Sequence, residues 1–323
     1  MTIAPYVQIL GRGPGRARSL TMDEAQAAME IVLRGQAAPE AVGAMLMLMR
    51  MKGETAPEIA GFVRSARDSL PPWQGPPPAL DWPSYAAGRT RGLPWFLLSA
   101  KLVAHSGTRV LLHGWNSDQQ TGASLRAALP VVGIGQARSL GEAASAVIRD
   151  GIAYLPLEIL SPALFALLRL RSVLGLRSCI NTVLRVLNPA AAPAAVQGVF
   201  HPPYRDIQLD AGVFLGQPAL TIIKGGGGEF ERHPCKDTTL FGLRGGQVWD
   251  GVAPALLEET RRLSEGPTDP GALAAVWAGS LQDPFAQAVV LGTAALALET
   301  AGVADGAALA AQLWINRHGK QAA

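Results

Sequence analysis

The segment from Asp81 to Ser117 most constrains the fold, because it contains three kinds of element in 37 residues. Proline and glycine punctuate it up to Pro94, apolar residues recur at helical spacing from Trp95 to His105, and Thr108 to Leu112 is a short aliphatic run. The pattern predicts a loop, a helix and a strand in that order. A loop that leads into a helix N-terminus can bind anions, since free backbone N–H groups point toward it.

The loop in this segment is bulky and basic. Its glycines are Gly88 and Gly92, Tyr85 adds an aromatic ring, and Arg89 and Arg91 add positive charge. A phosphate approaches backbone N–H groups most closely where glycines leave space for it. The composition of this loop therefore predicts a basic, aromatic-edged surface rather than a tight phosphate cradle.

Short aliphatic strands and helices alternate after Ser117. Strand patterns cover residues 131–134, 152–155, 196–200 and 220–224, and a helical pattern covers residues 140–150. Strands separated by helices favour a parallel sheet that is covered on both faces. We therefore predict the α/β class, with a small all-helical domain and a larger α/β domain around a central, mainly parallel sheet.

The first 70 residues predict helices. Thr21 with Glu24 and Thr55 with Glu58 are capping boxes, and apolar residues at helical spacing follow each of them. Residues 71–78 (PPWQGPPP) cannot continue a helix, because repeated prolines remove N–H donors and fix φ. The predicted domains are a helical domain at 1–70, a proline-rich linker at 71–80, and an α/β domain at 81–160 and 188–323.

Several motifs resemble the anthranilate phosphoribosyltransferase family, which belongs to glycosyl transferase family 3. Arg50 to Thr55 (RMKGET) matches the family's R-x-KGET, and Leu112 to Ser117 (LHGWNS) is similar to its KHGNRS. Arg171 to Pro189 follows R-x-x-LG-x-RT-x-FN-x-LGPL-x-NP, and the similarity extends over nearly the whole chain. The resemblance implies the phosphoribosyltransferase class of the nucleoside phosphorylase type. It also implies that residues 161–187 rejoin the helical domain, through which two copies pair as a homodimer.

Both phosphoribosyl-pyrophosphate motifs of that family are altered here. Asp81 matches the start of D-x-x-GTGGD, but residues 84–88 (SYAAG) replace the GTGGD part. Residues 94–97 (PWFL) replace the family's NIST. The resemblance therefore implies a vestigial donor pocket, which consists of Gly88, His113, Asn116 and Ser117.

The family's magnesium pair is altered as well. Glu229 stands at the position of the first acid, and Phe230 takes the second. A hard cation prefers clustered oxygen ligands, and Phe230 offers none. Glu229 is therefore the one candidate metal ligand left at this pair of positions, and it is a weak one. We predict no catalytic residue and no cofactor, with magnesium required only if the chain is an active transferase.

Positive charge is concentrated in the part of the chain that carries the altered motifs. The net charge of the 323 residues is +3, whereas residues 81–185 contain 11 basic and 5 acidic side chains, a local balance of +6. Arginine predominates, and its guanidinium group suits phosphate binding and base stacking. A high arginine content that reflects genomic composition is the alternative explanation.

These features predict sequence-nonspecific binding of nucleic acid, DNA or RNA, which is the property of the YbiB-type subgroup that the chain resembles. Phosphates would contact basic residues along the cleft between the domains, and Tyr85, Trp95 or Trp115 would stack on bases. The predicted contacts are Arg89, Arg91, Lys101, Arg171, Arg185, Lys224 and Arg232.

Two other functions stay open. The first alternative is an active glycosyl or phosphoribosyl transferase, a reaction that needs donors around the pyrophosphate and a magnesium site. The second is a dimeric interaction protein whose pocket has lost its function.

The sequence also bears on the compartment. Cys179 and Cys235 form neither a disulfide framework nor a CxxC pair. The N-terminus lacks the features of a signal peptide, and no apolar run reaches the roughly 20 residues of a membrane span. We therefore expect a soluble cytoplasmic protein with no membrane partner.

Overall fold

The first four helices form a bundle at the N-terminus. The structure is a computed structural model that describes residues 2–13, 15–85, 92–115, 124–259 and 261–318. Both predicted capping boxes are present, at the starts of the second and fourth helices. The helices are α1 (Ala4–Gly11), α2 (Met22–Leu33), α3 (Pro39–Lys52) and α4 (Ala56–Ser69).

Three later helices pack against this bundle: α9 (Pro162–Arg169), α10 (Arg171–Leu174) and α11 (Ile180–Val186). Val183 and Leu184 are fully buried in the same apolar cluster as Phe62 of α4. The guanidinium Nε of Arg67 donates a hydrogen bond to the carbonyl oxygen of Leu187 at 2.7 Å. These contacts join a segment from the middle of the chain to its N-terminal helices.

The larger part of the chain surrounds one seven-stranded sheet, with the strand order β3-β2-β1-β4-β5-β6-β7. The first five strands of this order pair in parallel, and the last two pairings are antiparallel. The predicted class is therefore confirmed: a helical N-terminal domain and a larger α/β domain with a mainly parallel sheet. The strands are β1 (Leu80–Ser84), β2 (Val110–Gly114), β3 (Ile152–Pro156), β4 (Ala194–Val199), β5 (Ala219–Lys224), β6 (Thr238–Arg244) and β7 (Gln247–Ala253).

The remaining helices cover the sheet. α14 is buried along most of its length and packs against α5, α15 and β5. Within the described residues, no helix is both long enough and apolar enough to cross a bilayer. These helices are α5 (Phe96–His105), α6 (Leu125–Val131), α7 (Leu140–Asp150), α8 (Leu157–Leu160), α12 (Tyr204–Phe214), α13 (Gly271–Ala278), α14 (Pro284–Thr300) and α15 (Gly306–Ile315).

The apolar core continues from one domain into the other. One cluster contains Met29 and Phe62 of the helical bundle together with Leu111 of β2 and Ala153 of β3. Because these side chains are fully buried in one cluster, the helical bundle and one face of the sheet share their core. This shared core fixes the position of the cleft that lies between them.

Candidate anion-binding site at the interdomain cleft

The strand order places a crevice between β1 and β4. From β1 the chain proceeds outward to β2 and β3, and from β4 it proceeds in the opposite direction to β5. In open parallel sheets, ligands bind outside the carboxyl ends of the strands at such a reversal. Tyr85 follows β1 and Phe200 follows β4, so these two residues border the candidate site.

A pocket of about 380 Å³ opens at this crevice. Its helical wall carries four arginines: Arg50 at the end of α3, Arg171 in α10, Arg177 in the following turn, and Arg185 in α11. We call it the arginine pocket. None of the described residues that line it is acidic.

Arg177 lies close enough to the other three arginines to be repelled by each of them. Burial lowers the pKa of Arg177, and the positive charges of Arg171, Arg185 and Arg50 lower it further. The Nη1 of Arg50 donates a hydrogen bond to the carbonyl oxygen of Arg177 at 2.7 Å, which holds these two residues together. The positive charge of this wall therefore favours an anionic ligand.

The other wall belongs to the α/β domain and carries Phe200, His201 and Tyr204. Burial raises the pKa of the Tyr204 hydroxyl, and the neighbouring Glu54, to which it is hydrogen-bonded, raises it further. Glu54 is thus an acid close to the pocket. It offsets part of the positive charge, but it faces Tyr204.

Arg185 lies at the reversal of strand order itself. Its Nη2 donates a hydrogen bond to the carbonyl oxygen of Tyr85 at 3.0 Å, and a methyl group on Gly228 would stand 3.2 Å from the same nitrogen. Burial lowers the pKa of Arg185, while the charge of Glu229 opposes that shift. Arg185 therefore bridges the end of β1 and the glycine-rich turn that follows β5.

The glycines of that turn permit close backbone packing. Gly226–Gly228 form a single 3-10 turn in which Gly227 has a φ of +65°. A methyl group on Gly198 of β4 would overlap the backbone carbonyl of Glu229, and one on Gly225 would overlap the same carbonyl. The turn can fold back over the end of β4 because these positions lack side chains.

His113 lies beneath the crevice in a buried polar network. Its Nδ1 is 2.9 Å from the hydroxyl of Tyr85, and its Nε2 is 3.2 Å from Oδ1 of Asp81. All three side chains are almost completely buried, and burial raises the pKa of Tyr85. His113, one of the residues of the predicted vestigial donor pocket, therefore contacts both Asp81 in β1 and Tyr85 directly after it.

The N-terminus of α5 binds a carboxylate from the chain itself. The backbone N–H of Phe96 donates to Oε2 of Glu231 at 3.0 Å, and the Glu231 side chain is fully buried. A negative charge is stabilised there by the helix dipole and the free N–H groups. Glu231 thus occupies an anion position, and sequence reasoning missed this contact because 135 residues separate the partners.

Comparisons with known proteins agree with this architecture. Residues 4–70 match the helical bundle domain of the glycosyl transferase family. Anthranilate phosphoribosyltransferases of Brucella suis biovar 1 and Brucella canis are each 27% identical to this chain over 246 residues, which is 76% of this chain and 71% of theirs. The chain is therefore similar in sequence to anthranilate phosphoribosyltransferases.

Solved structures show the same fold. The anthranilate phosphoribosyltransferase of Thermus thermophilus superposes with a TM-score of 0.79 and 23% identity, over 97% of this chain and 94% of that one. The Saccharomyces cerevisiae enzyme in complex with PRPP and Mg gives a TM-score of 0.77 and 14% identity, over 98% and 93%. The predicted resemblance to anthranilate phosphoribosyltransferases is confirmed. Membership of the nucleic-acid-binding subgroup stays a prediction.

The residues that stand at the family's magnesium positions make contacts within the protein. Glu229 is 1% exposed, and Phe230 packs its ring edge-on to Trp82 at 5.5 Å within the core. Glu231 binds the N-terminus of α5. A hydrocarbon and an engaged carboxylate do not provide the clustered oxygens that magnesium requires. Across the described ranges, no three His, Cys, Asp or Glu side chains are grouped so that they could hold a metal ion.

The predicted nucleic-acid contacts fall in different places. Arg171 and Arg185 lie together in the arginine pocket, and Lys224 is exposed at the end of β5. The structure does not describe Gly88, Arg89, Arg91, Asn116 and Ser117.

Lys101 and Arg232 do not line the pocket, because each is held by the α/β domain. The Nζ of Lys101 donates to the carbonyl oxygen of Val132 at 2.8 Å and lies 4.6 Å from the centre of the Trp277 ring. Arg232 is 5% exposed and donates to the carbonyl oxygen of Pro254. Burial lowers the pKa of both side chains.

The aromatic residues predicted to stack on bases are buried or contact other side chains of the protein. Tyr85 and Trp95 are 2% and 3% exposed, and Trp115 packs edge-on to Phe165 at 5.6 Å. Phe200, by contrast, is 45% exposed and lines the arginine pocket. Sequence reasoning missed Phe200 because nothing in its local sequence distinguishes an exposed aromatic from a buried one.

Proposed function

We propose that this chain binds a phosphorylated sugar in the arginine pocket, as a protein of the glycosyl and phosphoribosyl transferase type. The observation that carries the proposal is the group of four arginines, three of which repel Arg177, in a pocket whose described lining contains no acid. The similarity to anthranilate phosphoribosyltransferases over 76% of the chain supports this class of ligand.

Guanidinium groups suit this task. Each presents a planar set of N–H donors that binds two phosphate oxygens at once and keeps its charge at all physiological pH values. Arg171 and Arg177 line the same pocket, and their charges are close enough to interact. In a glycosyl transfer, negative charge accumulates on the departing phosphate, and fixed positive groups stabilise it.

The proposed mode of phosphate binding differs from the one that the family's glycine loop and magnesium pair provide. Glu231 already occupies the N-terminus of α5, and Phe230 belongs to the core. We therefore propose that phosphate recognition depends on arginine side chains instead of a glycine loop and a metal ion.

The proposal is tested by calorimetry with ribose 5-phosphate and with phosphoribosyl pyrophosphate, each with and without magnesium, at low salt. Arg171→Ala and Arg177→Ala should each weaken binding roughly 10-fold to 100-fold, because a hydrogen bond to a charged group contributes about 1.5–3 kcal/mol. Arg149→Ala is the matched control. Arg149 is exposed and paired with Asp150 at the end of α7, which lies at the amino ends of the strands, opposite to the pocket. If neither ligand binds the wild-type protein, the proposal is wrong.

Nucleic-acid binding is the second candidate, and one observation favours it. Arg50 and Arg171 are exposed at the pocket, and Lys224 is exposed at the end of β5, so positive charge continues outside the cavity. Fluorescence anisotropy with a labelled oligonucleotide of arbitrary sequence should show binding at 50 mM salt that weakens steeply by 200 mM. An absence of binding at the lower salt concentration would eliminate this candidate.

A further inference from the structure

We infer that the ligand of the arginine pocket carries an aromatic base beside its phosphate, so that its chemical class is a nucleotide. The inference rests on the proposed function, which supplies the phosphate, and adds the second half of the ligand. Its basis is Phe200, a large apolar side chain that is 45% exposed on the wall of a strongly cationic pocket.

Two neighbours contact Phe200. A methyl group on Gly228 would stand 3.4 Å from its Cβ, so the glycine-rich turn packs directly against the start of this side chain. The ring of His201 meets the Phe200 ring edge-on, with 4.8 Å between centroids. An exposed aromatic ring of this kind is a platform on which a flat ring system can stack.

The two chemical characters of the pocket lie on two different walls. The arginines come from the helical domain, whereas Phe200 directly follows β4 and Tyr204 begins α12 in the α/β domain. A ligand that satisfies both walls therefore has an anionic end and a flat apolar end. Asn181 and Ser178 also line the pocket and offer polar groups for sugar hydroxyls or base edges.

The dimensions agree with a ligand of this class. A cavity of about 380 Å³ falls within the roughly 300–1,000 Å³ of small-molecule sites. A free mononucleotide and one nucleotide of a single strand share the same chemistry of phosphate, sugar and base. The experiment therefore includes both sources.

Calorimetry on the full-length protein compares AMP, ribose 5-phosphate and a short single-stranded oligonucleotide. We expect the wild-type protein to bind AMP about 10-fold or more tightly than ribose 5-phosphate, since base stacking on an aromatic ring is substantial. Phe200→Leu, which keeps an apolar side chain but removes the ring, should bring the ratio of the two affinities close to 1. Phe214→Leu is the matched control, because Phe214 is equally exposed but lies at the far end of α12.

The outcomes separate this inference from the function on which it rests. Equal affinities of the wild-type protein for AMP and ribose 5-phosphate would overturn the nucleotide assignment and leave the proposed function standing. A failure of both ribose 5-phosphate and phosphoribosyl pyrophosphate to bind would overturn the proposed function. Binding of the oligonucleotide that depends on Phe200, without binding of AMP, would support the base-and-phosphate chemistry and identify the strand as its source.

Discussion

The carboxylate of Glu58 connects three parts of the helical bundle. It is fully buried and accepts hydrogen bonds from the backbone N–H groups of Leu20 and Thr55, both at 2.9 Å. It also accepts one from the Nζ of Lys52 at 3.0 Å. The RMKGET motif thus contributes two partners of Glu58, and its arginine, Arg50, extends into the arginine pocket.

Replacing Glu58 by alanine should lower the free energy of unfolding by roughly 3 kcal/mol, because the N–H groups of Leu20 and Thr55 and the ammonium group of Lys52 would lose their acceptor. Urea denaturation monitored by circular dichroism measures the change. Glu30→Ala is the control, since Glu30 forms an exposed pair with Arg34, and should change the free energy by about 0.5 kcal/mol or less. Equal effects of the two substitutions would contradict this role of Glu58.

Close backbone packing at Gly198 leads to a second prediction at this scale. Because a methyl group there would overlap the backbone of Glu229, Gly198→Ala should destabilise the fold by about 1–3 kcal/mol and displace the glycine-rich turn. Thermal unfolding and ligand calorimetry measure both effects. Gly135→Ala provides the comparison, since nothing lies within 4 Å of a methyl group at Gly135; a neutral Gly198→Ala would show that the turn is loosely packed.

Among the elements, α2 shows most directly how local sequence specifies structure. Thr21 and Glu24 exchange hydrogen bonds across its first turn, and Arg18 binds both carboxylate oxygens of Glu24 at 2.7 Å. The hydrogen bonds from Arg18, and then the one from the Thr21 backbone, lower the pKa of Glu24 from 4.5 to about 2.

The Glu24→Ala variant should be less stable than the wild-type protein by about 1 kcal/mol at pH 7, because the helix loses its reciprocal cap. The pKa of Glu24 is lower in the folded protein, so its stabilisation is complete above pH 4.5 and is lost as the pH falls toward 2. Urea denaturation between pH 7 and pH 3 should therefore show the difference shrinking. Asp23→Ala, on the same turn, should show a smaller effect, and a pH-independent difference for Glu24→Ala would refute the assignment.

In the β6–β7 hairpin, two adjacent glycines specify the turn between the strands. Gly245 and Gly246 both have positive φ, at +57° and +76°, and Arg244 pairs with Gln247 across a two-residue loop. Two adjacent positive φ angles are typical of a type I′ turn, which glycine tolerates and which matches the twist of antiparallel strands. The pair of glycines in the sequence is the signal that indicates this antiparallel edge.

At the scale of the whole molecule, the shared core determines how the domains behave. Phe62 of the bundle and Leu111 of the sheet are fully buried in the same cluster, so unfolding of the bundle would expose one face of the sheet. The predicted pairing of two copies through the helical domain stays a prediction. Met51 and Val173, which are 81% and 78% exposed on helical-domain segments, are the positions at which to probe it.

The shared core predicts a single cooperative unfolding transition for both domains in calorimetry. A ligand at 100 times its Kd should shift that one transition upward, corresponding to about 2.7 kcal/mol of added stability. Near-ultraviolet and far-ultraviolet circular dichroism should report the same midpoint. Two separated transitions, of which the ligand shifts one, would contradict the shared core.

The sequence by itself determined the features that depend on neighbouring residues. The capping boxes at Thr21 and Thr55, the helices that follow them and the mainly parallel character of the sheet were predictable, because caps and periodicity act over a few residues. The strand predicted at residues 131–134 was wrong, since Val131 ends α6 and none of the seven strands covers these residues. The motif around Arg171 and Arg185 also located two residues of the pocket, since it carried the family resemblance.

Only the tertiary structure decided which side chains face the cleft. The Nζ of Lys101 lies over the ring of Trp277. Glu231 accepts a hydrogen bond from the backbone N–H of Phe96, which is 135 residues away in the sequence. Tyr85 is buried, whereas Phe200 is exposed. The physical reason is that the environment of a side chain depends on elements distant in the chain. Local propensity and spacing contain no information about those elements until the core that joins the two domains has formed.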